Sequence, residues 1–181
     1  MDAANREKRT MRLKLVCLAL VLALAPAAVP VRAQIPHFAP GRADLVVVHK
    51  SKRLLELKRH GRTIRAFRIA LGRSPVGPKR KEGDGRTPEG VYTLDWRKAD
   101  SGFYRAIHVS YPAPWDLERS SRWGVPPGDM IMIHGLPNDA GPASAQHPEL
   151  DWTNGCIAVS NQEMDEIWAR VEDGTTIIIY P

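Results

Sequence analysis

A mostly β fold is predicted by three features of this chain. Short β-branched runs recur along it, glycine and proline cluster between them, and apolar residues recur at helical spacing in one stretch. The first run is Leu45–His49, which the polar turn Lys50-Ser51-Lys52-Arg53 joins to Leu54–Leu57. Arg59-His60-Gly61-Arg62 then turns the chain into Thr63–Leu71, where apolar and basic residues alternate in part, as on a half-buried strand. These three read as a β-meander. Val91–Leu94, Ala106–Ser110, Met130–His134 and Thr175–Tyr180 add four more strands. The one helical stretch is Asn161–Val171, where Met164, Ile167, Trp168 and Val171 recur at three- and four-residue steps. Ser160, with Glu163 three residues later, makes a capping-box pattern at its start.

Two connections are longer than turns require. Gly72–Gly90 interleaves glycine and proline with Arg73, Lys79, Arg80, Lys81 and Arg86, and Gly135–Asn154 holds Pro137, Gly141, Pro142, His147 and Pro148. Irregular connections of this length within one domain are more often functional or disordered than merely connective.

Residues 1–33 have the layout of a secretory leader. Arg6, Lys8, Arg9, Arg12 and Lys14 precede an apolar run from Leu15 to Ala25, and Val31-Arg32-Ala33 offers small residues at a cleavage site. The apolar run is shorter than the roughly 20 residues needed to span a bilayer. Cleavage leaves Gln34 first and removes Cys17. Residues 34–43 then form a short linker and 44–181 one domain, large enough to bury a core. The expected location is outside the cytoplasm, in the periplasm or cell envelope.

The formal charge of +6 is misleading, because residues 1–33 hold six Lys/Arg against two Asp/Glu. What remains is too weakly basic for nucleic acid to be the expected partner. Its charge is uneven, however: residues 34–98 hold sixteen basic and six acidic residues, whereas residues 99–181 hold four and twelve. Two solvated faces account for this, as does a basic flank facing an anionic polymer.

With Cys17 removed, Cys156 has no partner for an intramolecular disulfide, so it is either an inert buried side chain or a nucleophile. An unperturbed thiol is only a few per cent thiolate at neutral pH and needs a base or a positive field beside it. His134 ends a predicted strand, and Gly135 lets the chain turn away after it. If that strand neighbours the Cys156 segment, imidazole and thiol meet although far apart in sequence. Gly155 permits close backbone approach, so that the amides of Gly155 and Cys156 can face a developing oxyanion. Taken alone, a His-Gly and a Gly-Cys are weak signals, and a structural histidine is the plainer reading. His147, before Pro148 in a polar loop, reads as a loop or rim residue. His134, His147 and Cys156 fit none of the short-spaced zinc patterns, and no metal or cofactor is expected.

Taken together, Ile133-His134-Gly135, Thr153-Asn154-Gly155-Cys156-Ile157 and Gly83-Asp84-Gly85-Arg86-Thr87-Pro88-Glu89-Gly90-Val91-Tyr92 resemble the motifs of the L,D-transpeptidase (YkuD-type) catalytic domain. Leu71-Gly72, Ser110-Tyr111-Pro112 and the helix after the cysteine extend the resemblance from about Asp44 to Pro181. It implies an L,D-transpeptidase-like β-sandwich with one short helix after the cysteine. It also implies ping-pong acyl transfer on peptidoglycan stem peptides, with Cys156 as nucleophile, His134 as base, and amides near Gly155 and Cys156 holding the oxyanion. The partners it implies are a stem peptide as acyl donor, an amine acceptor, and in some relatives a wall-linked lipoprotein. Gly135, Thr153, Asn154, Tyr111 and Asp151 are expected around the pair, and Trp152 either packs over the cysteine loop or lines the cleft.

Two departures matter. Most of the family has a histidine before the Gly-Cys pair and an arginine two residues past the cysteine, where this chain has Asn154 and Ala158. The arginine's substrate-binding role is not carried over to Ala158. A hydrolase of the same bond class, either a carboxypeptidase or an enzyme releasing wall-linked lipoprotein, is therefore a second reading. A cell-wall binding module without catalysis is a third, whose mark would be loss of His134, Gly155 or Cys156.

Overall fold

The structure is a computed structural model and describes residues 41–139, 141 and 145–181. The leader expected over residues 1–33, with Cys17, and most of the linker expected over 34–43 lie outside the described residues. In chain order the elements are β1 (Leu45–His49), β2 (Leu54–Arg59), β3 (Arg62–Arg68), β4 (Gly90–Ser101), β5 (Tyr104–Val109), α1 (Pro114–Arg122), β6 (Met132–His134), β7 (Ile157–Ala158), α2 (Asn161–Arg170) and β8 (Thr175–Tyr180).

All eight strands belong to one sheet in the order β3-β2-β1-β8-β4-β5-β6-β7. The expected meander is present, with β1 to β3 antiparallel in succession. β8 inserts beside it, parallel to β1 and antiparallel to β4. The sheet then curls until its ends meet. Just past β3, Ala70 exchanges two backbone hydrogen bonds with Ala158 of β7, at 3.0 and 2.8 Å. Arg73 N donates to the Thr153 carbonyl at 3.0 Å and Thr153 N to the Leu71 carbonyl at 3.1 Å, extending the seam toward the cysteine.

Alternation along the strands sorts the side chains. Leu57, Val46, Ile177 and Tyr92 are register partners across four strands, as are Ile107, Ile133 and Ile157 across three. All are buried in one core enclosed by the curl, each contributing about 1.5–3 kcal/mol by leaving water. Their neighbours in sequence, Met132, His134 and Ala158, therefore project from the other face.

The helix after the cysteine forms as its pattern predicts. Glu163 N donates to Ser160 Oγ at 3.3 Å, Ser160 N donates to Glu163 Oε2 at 2.9 Å, and Met164 and Ile167 are buried. The expectation of one helix is corrected by α1. Its buried side chains are Asp116 and Ser120, polar residues at an i,i+4 spacing, so it carries no apolar stripe to read. Asp116 accepts from Tyr92 Oη at 3.0 Å and from Ala113 N at 3.1 Å and pairs with Arg119. Among the described residues, no helix is long and apolar enough to cross a membrane.

The Gly72–Gly90 connection is tied down from within. Asp84 accepts backbone hydrogen bonds from Arg80, Lys81 and Arg86 at 2.7 to 3.1 Å, and a 3.0 Å ion pair from buried Lys79. Lys50, 2% exposed, spends its ammonium on the carbonyls of Gly77 (2.7 Å) and Thr87 (2.9 Å) and on Glu89 (2.8 Å). Thr87 Oγ1 accepts from Gly72 N at 3.3 Å. This loop abuts the cysteine segment so closely that a Cβ on Gly155 would stand 2.6 Å from the Arg86 carbonyl oxygen.

Candidate active site

The parallel pairing of β6 and β7 sets Ile133 opposite Ile157 and His134 opposite Ala158. Cys156 precedes β7 by one residue, so alternation puts its thiol on the same face as His134, away from the core. Both open onto a cleft of about 1160 Å³, whose wall includes Arg73, Lys98, Phe103 and Trp152. The sequence separates the two residues widely. The strand register sets them on one face of adjacent strands, offset by two residues.

His134 is 3% exposed, and its Nδ1 lies 2.7 Å from the Gly135 carbonyl oxygen. A carbonyl can only accept, so Nδ1 carries the proton and Nε2 keeps its lone pair. Burial is the main influence on the ring and drives its pKa down to about 4; the Gly135 hydrogen bond opposes this, and nearby His147 adds to it. Aromatic rings enclose the imidazole, with Phe103 at 4.6 Å and Trp152 edge-on at 5.6 Å between centroids. Trp152 therefore both lines the cleft and packs over the histidine. Phe103 had no signal in the sequence, because it sits in the β4–β5 turn.

Burial likewise pushes the Cys156 thiol up, against a hydrogen bond from the Met132 backbone and the positive charge of Lys79. In this conformation Sγ donates to the Met130 carbonyl at 3.6 Å. Met130 holds a left-handed backbone with φ of 55°, which ends the strand pattern there and starts β6 at Met132 rather than at the expected Met130.

The segment carrying the cysteine is held by Thr153, which is 4% exposed. Its hydroxyl donates to the Cys156 carbonyl at 2.8 Å and accepts from Gly155 N at 3.1 Å. Gly155 has φ of 133°, open to glycine and costly for other residues. Asp151 accepts from Leu71 N at 2.9 Å and is gripped by Arg53 at 2.6 Å, which pins the start of the segment to the β1–β2 turn. Gly135 is needed for close approach, since a Cβ there would lie 2.7 Å from Asn161 Oδ1 and 2.9 Å from Tyr104 Cβ. Asn154 is exposed on the cleft wall. Tyr111 is placed elsewhere, buried in the core with its hydroxyl donating to the Pro127 carbonyl at 3.0 Å. His147 is half-buried, and both its ring nitrogens lack a hydrogen-bond partner among the described residues.

The family model of the L,D-transpeptidase catalytic domain (YkuD) matches residues 43–179. The chain belongs to the L,D-transpeptidase family. It is 26% identical over 180 residues to YafK of Escherichia coli K12, covering 92% of this chain and 65% of that protein. Among solved structures it resembles the helical cell shape determining protein Pgp2 of Campylobacter jejuni, with a TM-score of 0.60 and 26% identity over 75% of this chain and 46% of that one. It also shares its fold with Bd1075 of Bdellovibrio bacteriovorus, with a TM-score of 0.52 and 20% identity over 77% and 48% of the two chains. The chain thus spans about two thirds of the curated relative and about half of the solved ones.

In this L,D-transpeptidase domain the departure at Ala158 falls beside the histidine. Ala158 is fully buried, paired with His134 on one side and Ala70 on the other. The departure at Asn154 lies on the open side of the thiol, at the cleft surface.

Proposed function

We propose that the domain is a cysteine acyltransferase acting on peptidoglycan stem peptides, at the bond between the L-centre of the third residue and the following D-alanine. Membership of the L,D-transpeptidase family supports a peptidoglycan-related role. The observation that carries the chemistry is the placement, on one face and in one cleft, of a thiol and an imidazole whose tautomer leaves Nε2 free.

Both groups are neutral at rest, because burial lowers the histidine and raises the cysteine. The proton therefore moves from Sγ to Nε2 as sulfur attacks the carbonyl, after the thiol swings away from Met130. The Gly155 amide is committed to Thr153, which leaves the Cys156 amide as the donor for the oxyanion. Collapse breaks the C–N bond, the imidazolium returns its proton to the departing amine of D-alanine, and a thioester on Cys156 remains. An amine acceptor, deprotonated by Nε2, converts it to a new amide; water converts it to a carboxylic acid.

Family members place an arginine where this chain has Ala158, and its absence favours a share of hydrolysis alongside transfer. Acceptor amine titrated into the enzyme with a defined tetrapeptide muropeptide is expected to shift the products from tripeptide acid to cross-linked amide. Hydrolysis that never yields to amine would assign the domain to hydrolases of this bond, including those that release wall-linked lipoprotein. Residues 1–33 are proposed as a cleaved leader that exports the domain to the cell envelope, where N-terminal sequencing of the mature protein should begin at Gln34.

A further inference from the structure

One row of the sheet runs through the site. Lys98 of β4 is the register partner of Ala106 in β5, Ala106 of His134 in β6, and His134 of Ala158 in β7. Register partners project from the same face, so all four side chains leave the sheet on the side of the thiol. Alanines flank the histidine on both sides, and the first long side chain in the row is Lys98, two strands away at roughly 10 Å. On the opposite wall, Arg73 is tied by its backbone amide to Thr153 and by Nε to the Trp152 carbonyl at 3.3 Å, within the segment that carries Cys156.

The lining of the cleft singles out the same two residues, the lysine and the arginine that reach it. Several buried or partly buried cations are committed elsewhere: Lys50 to Glu89, Lys79 to Asp84, Arg53 to Asp151, Arg97 to Asp173 and Arg105 to Asp165. Arg73 and Lys98 both line the cleft, and among the described residues neither meets a carboxylate. Asp151, an acid of the same wall, is neutralised by Arg53. Two unspent cations thus face a cleft whose acids are one paired aspartate and exposed Asp139. A polyanionic ligand fits that field.

We infer that Arg73 and Lys98 are the carboxylate anchors of this cleft, supplying from its two walls the positive charge that buried Ala158 does not. Arg73, fixed to the nucleophile's own segment, takes the terminal carboxylate of the D-alanine leaving group. That carboxylate lies one residue beyond the scissile carbonyl, and the guanidinium fork suits it. Lys98 takes a carboxylate further along the stem, beyond His134. The inference rests on the stem-peptide reading above and names the residues that make it selective for free acids.

The test is calorimetric binding to the full chain carrying Cys156→Ala, which stops turnover. The ligands are a stem tetrapeptide with a free terminal carboxylate and the same peptide as its terminal amide. The acid is expected to bind roughly tenfold more tightly, as befits a charge-assisted bond that stays partly solvated. Adding Arg73→Gln should erase that preference and Arg73→Lys should keep part of it, while Lys98→Gln should weaken acid and amide by a similar factor. Equal binding of acid and amide, or an Arg73→Gln loss that falls equally on both, would overturn the arginine's role and leave the stem-peptide reading standing. Unchanged binding in Lys98→Gln would overturn the lysine's role. If neither peptide bound before the cations were altered, the stem-peptide reading and the inference would fall together.

Discussion

The imidazole Nδ1 of His134 lies 2.7 Å from the carbonyl oxygen of its own neighbour, Gly135. One backbone oxygen thereby fixes which nitrogen keeps its lone pair, and among the described residues no carboxylate bonds the ring. Because burial holds the ring's pKa at about 4, the imidazole stays neutral at acidities that would protonate an ordinary histidine. The acid limb of the acylation rate is therefore expected near pH 4 to 5, and His134→Gln should slow acylation by roughly 10²- to 10⁴-fold. A pH profile with its limb at 6.5 would contradict the buried, neutral imidazole.

The same shift has a consequence for stability. The unfolded chain binds a proton at His134 below pH 6.5, whereas the folded one does so only below about 4. The histidine's contribution is thus complete above pH 6.5 and is lost as the pH falls through that window. It amounts to something on the order of 3 kcal/mol. Urea denaturation at pH 7 and pH 4 should show the wild type losing more stability than His134→Gln by about this much.

The thiol is not a ready-made thiolate. Burial keeps Cys156 protonated at neutral pH, so iodoacetamide should alkylate it slowly at pH 7 and rapidly only above the ordinary thiol range. A carbapenem carries its own activated carbonyl in a cleft-sized ring and should acylate Cys156 under the same conditions. The check is an intact-mass increase that peptide mapping places on Cys156.

Thr153 connects the architecture of the cysteine segment to its reactivity. Thr153→Val leaves the Gly155 amide without its acceptor and the Cys156 carbonyl without its donor. It should cost about 1–3 kcal/mol and slow acylation, whereas Thr153→Ser should preserve both. If the valine variant acylated at the wild-type rate, the hydroxyl would have no part in placing the nucleophile.

Lys50 tests the support beneath the site. Lys50→Met strips the cation from Glu89 and the donor from two carbonyls, all three of them buried or partly buried. The expected loss is roughly 3 to 5 kcal/mol in chemical denaturation. A loss below about 1 kcal/mol would show that the Gly72–Gly90 loop holds without it.

Much of the fold was legible because the strands that build the core are β-branched and bounded by turns. Helix α1 was not, because its inward face is Asp116 and Ser120, and tertiary hydrogen bonds replace the apolar stripe. β7 is only two residues long, too short for any period. In the site, Cys156, His134 and the glycines around them carried motif signals. Lys50 and Phe103 did not, since one is an ordinary turn lysine until the fold buries it and the other becomes a wall only when a hairpin folds over His134. The row from Lys98 to Ala158 depends on register, which a single strand's sequence does not encode.

On the proposed mechanism Cys156 carries the acyl group. Intact-protein mass spectrometry, quenched early in the reaction with a defined stem tetrapeptide, tests it most directly. A tripeptide acyl adduct is expected on Cys156, with D-alanine released in step with it, and neither is expected in Cys156→Ala. D-Alanine release at an undiminished rate from Cys156→Ala would contradict it.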